Sequence, residues 1–195
     1  MTGAFRREGS QNGLPAASED RLATPQPALL ALGSNLGDRL ATLTAAVAAL
    51  EQVPALELTG VSPVYESAAV KVDGVDDEAP RYLNLVVGIR YTGDPHTLLD
   101  AVNAIETDHG RVRAERWGDR TLDIDIIVFG TAVLQDERLS IPHPRAADRD
   151  FVLVPWLDLD PAAVLPGRGP VRALLAAIDI TVQPYGALSS AGGNR

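Results

Sequence analysis

Apolar positions along the chain fall into short continuous runs and into stripes at helical spacing. Residues 28–32 form an apolar run that ends at Gly33, which predicts a buried strand. Ser34 or Asn35 can cap the helix predicted to follow. Apolar residues recur there at steps of three and four, which keeps one stripe facing a core: Leu36, Leu40, Leu43, Val47 and Leu50.

The same kind of pattern continues to residue 129. Residues 56–65 and 82–91 predict two strands, and segment 66–81 between them predicts a long loop. A second helix is predicted from its cap Asp94 to Gly110, with a buried stripe formed by Leu98, Leu99, Val102 and Ile105, and it is followed by a strand at 122–129. This order predicts an α+β fold with a ferredoxin-like βαββαβ core, an antiparallel sheet with helices packed on it. Short helical segments near 151–157 and 171–178 belong to a C-terminal extension.

Length and composition are those of a single globular domain. The chain has 195 residues, of which 46% are hydrophobic and 22% charged. Residues 1–27 mix Gly, Ser, Gln, Asn and Pro without an apolar period, which predicts a disordered tail. We therefore expect one domain at 28–185 and a flexible C-terminus at 186–195.

The charge and the amino-acid inventory exclude several function classes. Seventeen basic and 26 acidic residues give a net charge of −9, which disfavours a general nucleic-acid binder. The absence of cysteine excludes thiolate metal sites and cysteine nucleophiles. No apolar run approaches the roughly 20 residues that cross a bilayer, and the first residues lack a signal-peptide core. We expect a cytoplasmic monomer that acts on small molecules, without nucleic-acid or membrane partners.

Asp123 and Asp125 are the sharpest chemical feature. On a strand, alternate residues share a face, so both carboxylates project together. Two carboxylates held that close repel each other unless they share a cation or a proton, and such hard oxygen ligands suit Mg²⁺. The alternative is a pair of solvated aspartates on the polar face of the strand, although Asp is a poor strand former.

Four arginines lead directly into this pair: Arg111, Arg113, Arg116 and Arg120. Guanidinium groups match phosphate oxygens, so cations beside a metal site predict a polyphosphate ligand. The alternative is surface arginines paired with nearby acidic residues. The sequence G-x-x-x-x-G-K-[ST] is absent, which excludes a Walker-type phosphate loop. A basic, proline-containing loop at 141–145 follows the Asp pair.

Several stretches carry a family resemblance together and in order: ALGSNLGDRL at 31–40, SPVYES at 62–67, YLN at 82–84, GRVRAERWGDRTLDIDI at 110–126 and LSIPHPR at 139–145, with Arg149 and Phe151 following. They resemble the 6-hydroxymethyl-7,8-dihydropterin pyrophosphokinase family of the folate pathway. The resemblance implies transfer of diphosphate from ATP to the hydroxymethyl oxygen of the dihydropterin, with release of AMP.

The resemblance also implies a role for individual residues. Asp123 and Asp125 would hold two Mg²⁺ ions, while Arg120 and either Arg111 or Arg113 would contact the phosphates. Five residues would line the ATP side: Glu106, Arg116, Trp117, His143 and Arg149. Six would contact the pterin, with the two aromatic rings enclosing it: Ser67, Ala68, Val70, Tyr82, Asn84 and Phe151.

The sequence departs from the family pattern at two places. Residues 68–71 read Ala-Ala-Val-Lys where a Pro-Pro-Leu-Gly-like segment is common, which predicts a less stiff loop. Asp119 stands where proline is common.

Two alternative functions stay open. A palm-type two-metal nucleotidyl transferase would need a further acidic ligand on the neighbouring strand, and residues 28–32 contain no acidic residue. A ferredoxin-like RNA-binding module would need stacking aromatics and a basic sheet face, against 5% aromatic residues and a charge of −9.

Overall fold

A computed structural model describes residues 24–71, 74–76, 80–110 and 121–188 of the chain. The strands are β1 Gln26–Ser34, β2 Leu56–Val61, β3 Val64–Ser67, β4 Ala69–Lys71, β5 Gly74–Asp76, β6 Tyr82–Tyr91, β7 Asp123–Phe129, β8 Leu134–Gln135, β9 Ser140–Ile141, β10 Val164–Leu165, β11 Gly169–Pro170 and β12 Gln183–Gly186. The α-helices are α1 Arg39–Leu50, α2 Pro95–Asp108, α3 Asp150–Leu159 and α4 Val171–Leu175, and a 3-10 turn spans Ala146–Asp148.

The centre of the molecule is an antiparallel sheet with the strand order β12-β3-β6-β1-β7, and β2 also pairs with β6. Smaller two-stranded sheets join β4 to β5, β8 to β9 and β10 to β11. The mixed α/β architecture with helices on an antiparallel sheet confirms the prediction at that level. None of the helices in the described part of the chain is long and apolar enough to cross a membrane.

One face of the sheet packs against α1 and α2. Sheet residues such as Leu30, Leu32 and Leu85 are fully or almost fully buried there, together with Leu43 of α1 and Leu98 of α2. These helix residues belong to the stripes that the sequence predicts. Burial of each such side chain contributes about 1.5–3 kcal/mol, so this layer is a main source of stability.

The opposite face packs against α3 and α4. Leu29, Val86 and Ile127 from three neighbouring strands meet Val152 and Trp156 of α3 in a second core. Further along the same face, β1 carries only Ala31 and then Gly33. The sheet surface therefore becomes shallow beyond the start of α3, and that is where polar side chains of β6 and β7 lie.

The structure corrects three local predictions. Helix α1 is capped by Asp38, whose carboxylate accepts a hydrogen bond from the Ala41 N–H, and not by Ser34 or Asn35. Gly37 precedes this cap with a φ of 64°, a turn that separates β1 from α1. Segment 56–65 is divided between β2 and β3 around Pro63, because proline has no N–H to donate to a neighbouring strand. Segment 66–81 contains the β4–β5 pair as well as loop.

The chain ends were predicted as tails, and much of both falls outside the described residues. Strand β1 begins at Gln26, inside the predicted tail 1–27, and residues 1–23 are not described. Strand β12 ends at Gly186, and residues 189–195 are not described. Strand β12 was not foreseen, and it pairs with β3 at the edge of the sheet.

Candidate active site

Asp123 and Asp125 lie on the same face of β7, as their alternation predicts. Asp123 pairs with Gly33 of β1 and Asp125 with Ala31, so small residues border both carboxylates. Ile124 between them is buried in the opposite core. Both aspartates remain partly exposed, which leaves their oxygens accessible from the shallow part of the sheet.

Gly33 joins this pair to the polar residues of β6. It pairs with Asn84 on one side and with Asp123 on the other. A Cβ atom at Gly33 would lie 3.2 Å from Asn84 Oδ1 and 3.7 Å from Tyr82 Cδ1. The missing side chain therefore lets the Asn84 and Tyr82 side chains lie close over β1, toward the carboxylates.

Asn84 is buried and held in one orientation. Its Nδ2 donates a hydrogen bond to Ser67 Oγ over 3.0 Å. Ser67 lies at the end of β3 and pairs with Tyr82. Because the amide nitrogen is occupied by the serine, the amide oxygen is directed toward Gly33.

Asp125 contacts two residues that arrive from the segment before α3. Arg149 Nη1 donates to Asp125 Oδ2 over 2.9 Å. His143 Nε2 lies 3.7 Å from the same oxygen, which is too far for a hydrogen bond. The Arg149 guanidinium carbon also lies 5.4 Å from the centre of the Phe151 ring, within cation–π range. Strand β7 and the first turn of α3 are thereby joined at the site.

His143 is presented to this cluster as a neutral imidazole. Burial, together with the positive charges of Arg149 and Arg145, lowers its pKa below the ordinary value of 6.5, although Asp125 and Asp123 oppose the shift. Its Nδ1 accepts a hydrogen bond from the Arg145 N–H over 3.2 Å, which assigns the ring proton to Nε2. The backbone N–H of His143 donates a hydrogen bond to the Ile127 carbonyl of β7, which holds the residue beside that strand. The Nε2–H group of the neutral His143 ring therefore faces the Asp125 carboxylate.

Glu106 lies behind the Asp pair, on α2. It is only 1% exposed, and its Oε1 accepts a hydrogen bond from the Ile124 N–H over 2.7 Å. That backbone group belongs to the residue between Asp123 and Asp125. Glu106 thus fixes the edge of β7 at the point where the two carboxylates emerge.

The remaining site predictions have different outcomes. Ala68 lies between β3 and β4, partly exposed, and Phe151 lies in the first turn of α3, partly buried. The backbone of Val70 is part of β4. Five predicted residues fall outside the described part of the chain: Arg111, Arg113, Arg116, Trp117 and Arg120.

Magnesium fits the donor set of the Asp pair. Within residues 24–71, 74–76, 80–110 and 121–188, no group of three or more His, Cys, Asp or Glu residues is arranged to hold a metal ion. Two carboxylates on one strand supply hard oxygen ligands without filling a coordination sphere. Mg²⁺ is commonly bound by one or two carboxylates together with water and substrate phosphates, so this partial set suits it.

One ion-pair cluster near the site was missed by the sequence reasoning. Arg39 Nη1 contacts Glu66 Oε1 over 3.0 Å and donates to the Arg81 carbonyl over 2.7 Å. Arg81 Nε contacts Glu66 Oε2 over 3.0 Å. The cluster joins the start of α1 to the residues next to Ser67 and Tyr82. Arg39 and Glu66 both lie in the stretches that carry the family resemblance, which was the available signal.

Comparisons with known proteins relate this chain to one family. Residues 29–161 match the family described as 7,8-dihydro-6-hydroxymethylpterin-pyrophosphokinase. The 2-amino-4-hydroxy-6-hydroxymethyldihydropteridine pyrophosphokinase of Pseudomonas aeruginosa is 43% identical over 152 residues, covering 78% of this chain and 91% of that protein. The protein of the same name from Bacillus subtilis is 43% identical over 132 residues, covering 68% and 77% respectively.

Solved structures support the fold. The wild-type HPPK-DHPS of Plasmodium falciparum superposes with a TM-score of 0.59 at 17% identity, over 82% of this chain and 42% of that one. The same protein with pterin and p-hydroxybenzoate gives a TM-score of 0.61 at 18% identity, over 81% and 44%. This chain spans less than half the length of those structures. From the match over residues 29–161 and the two relatives, the chain belongs to the 7,8-dihydro-6-hydroxymethylpterin-pyrophosphokinase family.

Proposed function

We propose that this protein transfers diphosphate from ATP to the hydroxymethyl group of 6-hydroxymethyl-7,8-dihydropterin and releases AMP, as a step of tetrahydrofolate biosynthesis. The observation that carries the proposal is the row Asn84–Gly33–Asp123 across β6, β1 and β7. It brings a fixed amide and a pair of carboxylates together on one shallow face. A pterin ring and a metal-bound triphosphate need these two kinds of group side by side.

In this proposal Asp123 and Asp125 hold two Mg²⁺ ions. The ions, when bound, neutralise triphosphate charge and make the β-phosphorus more electrophilic. Arg149 offsets the charge of Asp125, and the neutral His143 supplies an N–H without adding another cation. Arg120 and either Arg111 or Arg113 contact the phosphates. Arg116, Trp117, His143 and Arg149 line the ATP side, and the buried Glu106 supports it from behind β7.

In this proposal the pterin lies on the β6 side of Gly33, next to Asn84, and the metal-bound triphosphate lies on the β7 side. Tyr82 and Phe151 enclose its ring, and Asn84 reads its polar edge together with backbone groups of Ser67, Ala68 and Val70. The Asn84–Ser67 hydrogen bond supports this assignment, because a buried amide in one fixed orientation discriminates between donors and acceptors on a ligand.

The reaction needs no nucleophilic side chain. The hydroxymethyl oxygen forms a bond to the β-phosphorus and its proton passes to water, while the bond from that phosphorus to the oxygen bridging it to the α-phosphorus breaks. AMP leaves with that oxygen. Holding the hydroxyl in line and neutralising charge on the phosphates are the contributions required of the protein.

We also assign the core to the ferredoxin-like class and the protein to small-molecule chemistry as a monomer. The core elements run β1, α1, β2–β3, β6, α2, β7, and the sheet order β3-β6-β1-β7 supports the class assignment.

The test is to incubate the protein with ATP, Mg²⁺ and 6-hydroxymethyl-7,8-dihydropterin and to identify both products by chromatography and phosphorus NMR. AMP with a diphosphorylated pterin is expected. ADP with a monophosphorylated pterin would indicate an ordinary phosphotransferase and contradict the proposal. Omission of the pterin controls for ATP hydrolysis.

A further inference from the structure

We infer that Asp150 is a positioning residue that ties the C-terminal segment 181–186 to the pterin side of the site. The inference rests on the proposed function, because Phe151 is the proposed pterin wall. Asp150 is 8% exposed. Its Oδ2 accepts hydrogen bonds from the Thr181 N–H over 2.6 Å, the Thr181 hydroxyl over 2.8 Å and the Val182 N–H over 3.1 Å. Its Oδ1 accepts from the Phe151 N–H over 2.8 Å.

The tethered segment also contacts the other pterin-side element. Directly after Val182 the chain forms β12, in which Gln183 pairs with Glu66 and Pro184 with Tyr65. Ser67 follows Glu66 as the last residue of β3, and its hydroxyl oxygen accepts the hydrogen bond from Asn84. One short segment therefore bridges the strand that carries Ser67 and the helix start that carries Phe151. This segment lies beyond residue 161, where the match to the family ends.

Asp150 stands between two residues that contact each other at the site. Arg149 precedes α3, and its carbonyl accepts hydrogen bonds from the Val152 and Leu153 N–H groups. Its guanidinium lies against the Phe151 ring and donates to Asp125. Because Asp150 binds the Phe151 N–H directly, its carboxylate fixes the peptide unit from which the Phe151 ring projects. Arg149 keeps a second anchor in Asp125, so loss of Asp150 acts mainly on Phe151.

Removal of the Asp150 carboxylate leaves the buried Val182 N–H without its acceptor, which is unfavourable. A purely structural role for Asp150 would lower stability and leave ligand affinity unchanged in the folded enzyme. A positioning role changes pterin affinity at temperatures where the variant is fully folded. The two roles are therefore separable by binding measurements.

The experiment compares the full chain with Asp150→Ala and Asp150→Asn. The Kd for 6-hydroxymethyl-7,8-dihydropterin is measured with saturating Mg²⁺ and α,β-methylene-ATP, in which the bond that must break is not cleavable. KM values for pterin and ATP are measured with ATP itself. We expect Asp150→Ala to raise the pterin Kd about tenfold and the ATP KM by less. Asp150→Asn retains one carbonyl oxygen for residues 181–182 and is expected to lie between Asp150→Ala and wild type.

Asp94→Ala is the matched control. The Asp94 carboxylate also accepts from two backbone N–H groups and one hydroxyl at the start of a helix, but that helix is α2, in the other layer. The Asp94→Ala variant is expected to have a lower melting temperature than the wild type and an unchanged pterin Kd. A folded Asp150→Ala enzyme with wild-type pterin Kd would overturn the inference, and so would an equal rise in Asp94→Ala.

Further measurements keep the inference testable if Asp150→Ala does not fold. In that case Asp150→Asn and Thr181→Val test the positioning role of Asp150, since each removes part of the hydrogen-bond set around its carboxylate. A wild-type pterin Kd in both variants would overturn the inference. Failure of the unmodified protein to form AMP from ATP and pterin would instead contradict the proposed function. The two failures are thus distinguished by the wild-type enzyme.

Discussion

Arg149 donates a hydrogen bond from its Nη1 to Asp125 Oδ2 across 2.9 Å, linking the start of α3 to β7. The side chains are 18% and 33% exposed, so solvent screens the pair only in part. Partly exposed ion pairs contribute up to about 1 kcal/mol to stability. A larger consequence is electrostatic, because Arg149 occupies one side of a carboxylate that is proposed to bind Mg²⁺.

Replacing Arg149 with glutamine should therefore have opposite effects on metal binding and on catalysis. Removing a positive charge beside Asp125 favours a cation there, so Mg²⁺ or Mn²⁺ added without nucleotide should bind about three- to tenfold more tightly. Diphosphate transfer should slow, since a charge that faces the ATP side is lost. Titration calorimetry with the metal alone and the rate of AMP formation measure the two effects.

Arg138→Gln is the control for Arg149→Gln. Arg138 also forms an ion pair with an aspartate, Asp100, but both residues are exposed on the molecular surface. Metal affinity and transfer rate should stay at wild-type values. Weaker metal binding in Arg149→Gln than in the wild type would contradict the arrangement described here.

Substitution of Asp123 by asparagine should abolish transfer while the fold persists. The side chain keeps its size, but the negative charge that attracts the metal is lost, and a loss of at least about a thousandfold in kcat is expected. The melting temperature should change little, because the substitution also removes repulsion between Asp123 and Asp125. AMP formation and circular dichroism during heating measure these outcomes. Wild-type turnover in a folded Asp123→Asn protein would contradict the metal-binding role.

The sequence predicted those features that depend on local periodicity. The stripes of α1 and α2, such as Leu43 and Leu98, follow from helical spacing, and the shared face of Asp123 and Asp125 follows from strand alternation. Arg149 and Asp125 were both named as site residues, yet their mutual contact was not foreseen. It depends on how the segment before α3 returns to β7, which no local pattern encodes.

The same distinction explains the missed elements. The pairing of β12 with β3 joins residues such as Gln183 and Glu66, which are far apart in sequence, so no local pattern encodes it. The sequence predicts the helix cap at the first polar residues after Gly33, but Ser34 is the last residue of β1 and its hydroxyl donates to the Thr121 carbonyl. Asp38 became the cap because the turn at Gly37 delays the start of the helix.

Gly33→Ala should weaken pterin binding more than ATP binding. The added methyl group would lie 3.2 Å from Asn84 Oδ1 and 3.7 Å from Tyr82 Cδ1, so the Asn84 amide, which is hydrogen-bonded to Ser67, must move by a few tenths of an ångström. A rise of about five- to twentyfold in the pterin KM is expected, corresponding to roughly 1–2 kcal/mol. Steady-state kinetics with each substrate varied in turn measure the difference.

Gly60→Ala provides the matched control for Gly33→Ala. It adds the same methyl group to another sheet glycine, in β2, where the nearest atom is Leu159 Cδ1 of α3 at 2.6 Å. Stability should fall because Leu159 must move, while the pterin KM stays unchanged. An equal rise of the pterin KM in both variants would show that general loosening of the sheet, and not contact with Asn84, causes the effect.

The stability contributed by Asp94 should depend on pH in a defined direction. The hydroxyl of Thr97, followed by the backbone N–H of Thr97, contributes most to lowering the Asp94 pKa below its ordinary value of 3.8, and the backbone N–H of His96 adds to the shift. A group whose pKa is lower in the folded state than in the unfolded state stabilises the fold above the unfolded value. That contribution is lost as the pH falls through the folded value.

Asp94→Ala tests this dependence directly. Above about pH 5 the variant should be less stable than the wild type by about 1 kcal/mol, the usual value of an N-cap. Below pH 4 the difference should shrink, because protonation of Asp94 removes the charge-assisted part of its hydrogen bonds in the wild type only. Urea unfolding at a series of pH values between 3 and 7 measures the difference in free energy of unfolding. A difference that stays constant or grows toward pH 3 would show that the Asp94 carboxylate is not preferentially stabilised in its charged form by the cap.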